Sequence, residues 1–380
     1  MRNKKITIVV ILFVLILGVF LLRSQIKTSF GVLYGLIFQK EITLAGQEEK
    51  GTLNILLMGI GGGNHEGPEL TDTVMLANID LQNKKVNLIS LPRDMWIPQI
   101  ESKINTAYVK GQQKDERGIQ LSKAVVEKVT GRAPDYAVIV DFDGFVKVVD
   151  LLGGIEVDVK RILDDKEYPI AGKEDDLCGQ PEEKIEELAT AASQLEAFPC
   201  RYEHIHFDAG KQKMNGEQAL KFVRSRHGKD GEGSDFARSQ RQQEVIRAVK
   251  DKVLSLGMLL NPVKIFNMYN IVKANIHTDI PEEEYDDFIK LARDMQDSEI
   301  RSFVVTLDGK KPGDYGLLMN PPSSSDYKFQ YVLIPRLGNN NFSEIVEYID
   351  CVEDGRECLI GKSGIIIDPT PTASRSAQKR

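Results

Sequence analysis

The chain has 380 residues, 42% of them hydrophobic and 28% charged, with a formal net charge of −7. That length allows roughly two domains, or one large domain with appendages, and the composition is that of a chain that mostly folds. The acidic balance argues against general nucleic-acid binding, which rests on cationic surface, so any anionic ligand must be held by a local cluster of Arg and Lys.

Three of the first five residues (MRNKK, residues 1–5) are Arg or Lys, and residues 6–22, ITIVVILFVLILGVFLL, carry no charge. Seventeen residues lie at the short end of the roughly 17–25 that span a bilayer. A cleaved signal peptide has a core of about 7–15 residues and a small-residue cleavage site, whereas here Arg23-Ser24-Gln25 follows. The segment therefore reads as an uncleaved transmembrane signal-anchor with a short cytoplasmic tail. Arg23 and Lys27 keep the positive-inside bias modest. The expected product is a single-pass cell-membrane protein whose catalytic domain is extracytoplasmic, on a membrane-proximal stalk at 23–50.

The folded part is expected at about 51–310. Leu53 to Met58 is an apolar run of strand length that ends in a glycine loop, Gly59 to Gly63. Thr73 to Ile79 and Lys85 to Leu91 read as strands joined by the turn Asp80 to Lys84. Leu121 to Val129 has helical spacing and Gly131 stops it. Tyr136 to Val140 is a strand, Phe145 to Leu152 a helix ended by Gly153-Gly154, and Ile155 to Val159 a strand. An insert at about 164–206 contains EEKIEELATAASQLEAF, read as a helix. Met214 to Val223 and Phe236 to Leu256 are further helices, and Ile300 to Val305 a strand. The alternation predicts a layered α/β/α domain around a central mixed sheet. After the linker PPSSSD come a small unit within 321–367 and a tail, 368–380, of disordered composition.

Cys178 and Cys200 flank the insert, and Cys351 and Cys358 flank a short turn. Outside the cytosol, two local pairs suggest two disulfides, with four unpaired thiols as the other reading. Cys200, His204 and His206 match no usual zinc spacing. The sequence contains no GxxxxGK loop, G-x-S-x-G elbow or HExxH.

Two regions are rich in cations beside acids. RDMWIPQIESKINTAY carries Arg93, Lys103 and Asn105, and ALKFVRSRHGKDGEGSDFARSQRQQ carries Arg224, Arg226, Arg238 and Arg241. Arg224 and Arg226 are two apart at a helix end and so point in different directions. Asp235, Arg238 and Gln242 share one helix face. Guanidinium groups there suit phosphate oxygens, and the carboxylate suits orienting an Arg or taking a proton. The plainer reading is an exposed helix face with terminal cations on the helix dipole. Asp72, in Thr71-Asp72-Thr73, is either a turn residue or the single hard oxygen ligand of Mg²⁺.

The ordered set LLMGI, TDT, SLPRD, KINTAY, VDFDGF, VDLLGGIEV, NGEQALKFVRSRH and DFARSQRQQ, over about residues 51–256, resembles the LytR–CpsA–Psr family of bacterial cell-envelope proteins. The resemblance implies an enzyme, a phosphotransferase of cell-wall biogenesis. It would move a glycopolymer from a polyprenyl-pyrophosphate carrier onto peptidoglycan through a phosphodiester. It also implies a Mg²⁺ cofactor (Mn²⁺ as substitute) and an apolar tunnel for the lipid tail. By position, Asp72 matches the metal-binding Asp and Arg93 the pyrophosphate-contacting Arg. Arg224 and Arg226 match the R-x-R pair, and Asp235, Arg238 and Gln242 the D-x-x-R-x-x-x-Q group. Arg93, Asp235 and Arg238 are thus the expected catalytic residues. Arg93, Arg224, Arg226, Arg238 and Gln242 are the expected pyrophosphate contacts, and Asp72 is the expected metal ligand. Asp94 is expected to hold a neighbour in place.

The sequence departs from the family pattern at Gly61, where relatives often carry an Asp; His65 or Glu66 are the local candidates to compensate. A pyrophosphatase side activity, with water as acceptor, follows on the same residues. The alternative function is a non-catalytic polyprenyl-phosphate or cell-wall binding module.

Overall fold

The computed structural model describes Leu44 and residues 51–63, 67–184, 193–253, 273–307, 315–362 and 364–368, with four single positions between 255 and 271. The predicted anchor, most of the stalk and the tail from 369 lie outside the described residues. Among the described residues, no helix is long and apolar enough to cross a membrane.

A mixed six-stranded sheet forms the centre. It comprises β1 (Thr52–Ile60), β2 (Thr71–Asp80), β3 (Lys85–Leu91), β6 (Tyr136–Asp141), β11 (Ile276–Thr278) and β12 (Glu299–Val304), in the order β11-β6-β1-β2-β3-β12. β2 runs antiparallel to both β1 and β3, β6 is parallel to β1, and β12 is parallel to β3. The tight β2–β3 connection follows from Asp80, whose carboxylate accepts from the Gln82 and Asn83 amides at 3.0 and 2.9 Å.

Strand alternation sorts β1 onto two cores. Leu56, Met58 and Ile60 pack with Val125, Val126 and Val129 of α2 (Gly118–Thr130) and with Ile345 and Ile349 of α7 (Ser343–Glu353). Leu53 and Ile55 face Phe288 and Leu291 of α6 (Tyr285–Asp294), and Leu57 faces Ile246 of α5 (Asp235–Val253). Helices therefore cover both faces of the sheet, as the alternation predicts.

α1 (Ala107–Asp115) precedes α2, which ends where Gly131 takes a left-handed φ of 68° and donates to the Glu127 carbonyl at 2.8 Å. Asp141 caps α3 (Phe142–Leu151) by accepting from the Gly144 amide at 2.6 Å. Asn215 and Gln218 form a reciprocal capping box on α4 (Gly216–Arg224). The predicted helix start at Met214 is corrected by this box: Met214 instead ends β10 (Gly210–Met214), which pairs with β7 (Ile155–Val159).

The expected insert begins and ends in strand. β8 (Leu163–Pro169) and β9 (Tyr202–Phe207) form an antiparallel ribbon, too acidic and polar to show as strands in the sequence. Between them lie a 3₁₀ turn at Glu182–Lys184, a one-turn helix at Gln194–Ala197 and the Cys178–Cys200 disulfide. Residues 185–192 of the predicted helix lie outside the described residues. A second disulfide, Cys351–Cys358, ties α7 to the hairpin β15 (Glu357–Gly361) and β16 (Gly364–Asp368).

The segment after residue 315 packs into the main core through Leu317, Leu318, Leu333, Phe342, Ile345 and Ile349. The single Trp is its clasp. Trp96 is 3% exposed, meets Tyr327 edge-on at 5.6 Å, and packs on Val332 and Ile334. Its amide donates to the Leu333 carbonyl at 2.8 Å, while the Leu333 amide donates to the Asp94 carbonyl at 2.9 Å.

Candidate active site

The site forms where β1, β3 and β6 end and β2 begins. In open α/β sheets, the carboxyl ends of strands leave backbone groups and loops free to meet a ligand. Thr71 starts β2, and its hydroxyl donates to the Asn105 carbonyl at 3.2 Å. The Asn105 amide in turn donates to the Arg93 carbonyl at 3.3 Å, just past β3. Asn105 thus locks together the two strand ends that carry Asp72 and Arg93.

Two arginines lean on one carboxylate oxygen. Arg93 Nη1 ion-pairs with Asp72 Oδ1, and Arg226 Nη2 donates to the same oxygen at 3.2 Å across 154 residues of sequence. Two cations on one anion leave surplus positive charge at a partly open position: Asp72 and Arg226 side chains are 37% and 41% exposed. Arg93 Nε is buried and has no hydrogen-bond partner among the described residues. Asp94 Oδ2 lies 3.7 Å from that nitrogen, and Asp94 Oδ1 accepts from Lys103 Nζ at 2.6 Å, so Asp94 holds neighbours in place.

Arg224 and Arg226 diverge as their spacing predicts. Arg224 stacks its guanidinium on the Phe142 ring, 4.1 Å from the centroid, and donates to the Tyr168 hydroxyl at 3.4 Å. Burial pushes the Tyr168 phenol up, against the opposing pull of Arg224, so it stays protonated and can accept that bond. The turn between the arginines rests on buried Asp165. Its Oδ2 accepts from Ser225 Oγ at 2.6 Å and from the His227 amide at 3.2 Å, and its Oδ1 accepts from the Glu167 amide at 2.8 Å.

Arg241, one of the cations of the second cluster, has an internal role. It donates to the carbonyls of Phe222, Glu232 and Ser225 at 2.8, 2.6 and 2.7 Å, and burial lowers its affinity for the proton. Arg238 is buried on α5, close enough for its charge to act on Arg241, and Gln242 is half-buried on the same helix. Asp235 heads α5, but its side chain lies outside the described residues, as do His65 and Glu66. On the two sides of Gly61 in the chain, Ile60 and Gly62 both meet Asp141: Ile60 pairs with Thr71 on one side and Asp141 on the other. A Cβ at Gly62 would lie 2.7 Å from the Asp141 Cβ, so the missing side chain makes room for this acid.

Of the expected site residues, the structure brings Asp72, Arg93 and Arg226 together; Tyr168 and Asp165 beside them were not singled out in the sequence, and Asp141 and Phe142 only as part of the VDFDGF motif. The signal for Asp165 and Tyr168 was weak: only the buried positions of Leu163, Asp165 and Tyr168 mark β8, in a segment dominated by charge. A cleft of about 480 Å³ lies between α5 and the edge of the sheet. Lys160, Arg161, Glu244 and Arg247 line it together with Phe222, Phe236 and Val304.

The mixed α/β domain sets two arginines on one acid at a sheet edge, an arrangement that suits a phosphate-type anion. A model of the LytR_cpsA_psr family matches residues 34–326, and the chain belongs to that family. It is 29% identical over 239 residues to the polyisoprenyl-teichoic acid–peptidoglycan teichoic acid transferase TagV of Bacillus subtilis, covering 61% of this chain and 51% of TagV. It is 27% identical over 237 residues to the regulatory protein MsrR of Staphylococcus aureus, covering 61% of this chain and 58% of MsrR. With TagU of Bacillus mycoides, a transferase of the same description, it shares 26% identity over 267 residues, 69% of this chain and 71% of TagU. The chain thus spans between half and three-fifths of the length of TagV and MsrR. The crystal structure of B. subtilis TagV has the same fold, with a TM-score of 0.52 at 24% identity, covering 79% of this chain and 96% of that one.

Proposed function

We propose that the protein is a membrane-anchored, extracytoplasmic phosphotransferase that moves a glycopolymer from a polyprenyl-pyrophosphate carrier onto peptidoglycan. The observation that carries this reading is the convergence of Arg93 and Arg226 on Asp72 at the carboxyl edge of the sheet. The relatives named as teichoic acid transferases support the substrate class. The uncharged run at 6–22 supports the anchor.

In the reaction, an acceptor hydroxyl of the wall polymer forms a bond to the phosphorus carrying the glycopolymer. The bond from that phosphorus to the bridging oxygen breaks, and polyprenyl phosphate leaves with the electron pair. Little covalent work falls to the protein, so positioning and charge stabilisation dominate. Arg93 and Arg226 bind the pyrophosphate oxygens through the terminal guanidinium nitrogens that lean on Asp72. Arg224, held flat by Phe142, offers its remaining N–H groups, with Arg238 and Gln242 contributing from α5. Asp235 takes the hydroxyl proton or orients an arginine.

Asp72 is the residue that would hold Mg²⁺, or Mn²⁺, which takes the same oxygen donors. Two guanidiniums already lean on its oxygen, so the residues suit a divalent cation only together with a polyanion such as pyrophosphate. When bound, the ion neutralises charge on the phosphate oxygens. Water in place of the acceptor gives pyrophosphatase side activity.

The test is turnover of a pyrophosphoryl-linked lipid by the full chain with Mg²⁺. Arg93→Ala should lower kcat/KM at least about 100-fold, the effect of removing one transition-state donor. Full activity in that variant would overturn the role of Arg93. Lipid retained on purification without turnover under any metal would favour the binding-module reading.

A further inference from the structure

We propose a second metal site, for a first-row transition ion of the Zn²⁺ type, on the outer face of the β8–β9 ribbon. In β9, Ile205 and Phe207 point into the core, and His204 and His206 therefore share the opposite, solvent-facing side. The ribbon register pairs His206 with Asp164. Ligand atoms of the three residues all lie within 4.8 Å of one another.

Both imidazoles aim at a single oxygen. Asp164 Oδ1 is 2.5 Å from His204 Nε2 and 3.3 Å from His206 Nδ1. Around a tetrahedral Zn²⁺ with bonds of about 2.0–2.1 Å, neighbouring donors stand about 3.3 Å apart. The His206 separation already has that value, and the exposed His204 ring needs to open by somewhat under 1 Å.

The supporting groups match those of metal-bound histidine. His206 Nε2, the nitrogen turned away from Asp164, lies 3.2 Å from Asp208 Oδ1. A carboxylate there fixes the tautomer that leaves Nδ1 free to bind, as outer partners of metal-ligating histidines do. Lys229 Nζ contacts Asp164 at Oδ2, 2.8 Å away, leaving Oδ1 to the imidazoles. Two imidazoles and one carboxylate suit Zn²⁺, with Ni²⁺ and Cu²⁺ as tighter or comparable probes, and disfavour Mg²⁺, which wants oxygen alone. All four cysteines are in disulfides, so no thiolate competes for the ion.

The site is separate from Asp72 and does not depend on the transferase reading. The test titrates the full chain with Zn²⁺ against a chromophoric chelator. One ion per chain should bind, with imidazole scattering in its X-ray absorption spectrum and no displacement by excess Mg²⁺. The His204→Ala/His206→Ala double variant alters two half-exposed side chains and should keep the native circular dichroism while losing this binding. Asp208→Ala, which spares all three ligands, should weaken it about 10- to 100-fold. Unchanged affinity in the double variant, or no ion retained by the wild type through gel filtration, would overturn the proposal.

Discussion

Replacing Asp165 by alanine removes the carboxylate under the Arg224–Arg226 turn, and its cost follows from the bonds it leaves open. Asp165 and Ser225 are both fully buried, so the Ser225 hydroxyl, which donates to Asp165 at 2.6 Å, is left unpaired at a cost of about 2 kcal/mol. The amides of His227 and Glu167 are part-buried and lose about 1 kcal/mol each. Relief from burying a carboxylate returns about 1 kcal/mol, leaving a net loss of about 3 kcal/mol. Asp165→Asn keeps one oxygen and lets the serine hydroxyl turn to accept, but sets an amide donor against the His227 N–H. Its cost should be about 1–2 kcal/mol.

Urea unfolding followed by the fluorescence of the single, buried Trp96 measures both variants, with circular dichroism as the second probe for two-state behaviour. At an m-value of about 3 kcal/mol/M, the alanine midpoint should fall by about 1 M. Hydrogen exchange at the His227 amide should quicken in both variants. A loss under about 1 kcal/mol in Asp165→Ala, with the His227 amide still protected, would refute the claim that this carboxylate holds the turn.

Two further outcomes test the same physics elsewhere. Trp96→Ala should cost about 3–5 kcal/mol, because it empties a buried aromatic site where residues 327–334 dock; Phe in its place should recover part of this, read by circular dichroism in urea. Burial pushes the Asp80 carboxyl up, but hydrogen bonds from Asn83 and Gln82 outweigh it and hold the group below the usual value of 3.8. The stabilisation is therefore fully present above pH 3.8 and fades as pH falls through the lower folded value, so the deficit of Asp80→Ala should shrink on acidification. A deficit that stays constant or grows below pH 3.8 would contradict that assignment.

The sequence alone determined the strands through Leu53 to Met58, Thr73 to Ile79 and Lys85 to Leu91, because burial between two helical layers demands near-continuous apolar runs; the first two run one or two residues further at each end in the structure. It likewise determined the helix stop at Gly131, since a C-terminal glycine cap is local chemistry, whereas the expected helix start at Met214 gave way to the Asn215 capping box. The motif set by itself also places the chain in its family.

What the sequence left open was long-range. That Arg226 meets Asp72 depends on how a helix end and a strand start lie in space, and local pattern carries no such distance. The β8–β9 ribbon stayed hidden because one of its faces is charged and its two strands are far apart in sequence. Only their pairing sets Asp164 opposite His206 and puts Asp165 beneath Ser225. Trp96 had no role in the sequence because its partners, Tyr327, Val332 and Ile334, lie more than two hundred residues away, and folding alone brings them onto its ring.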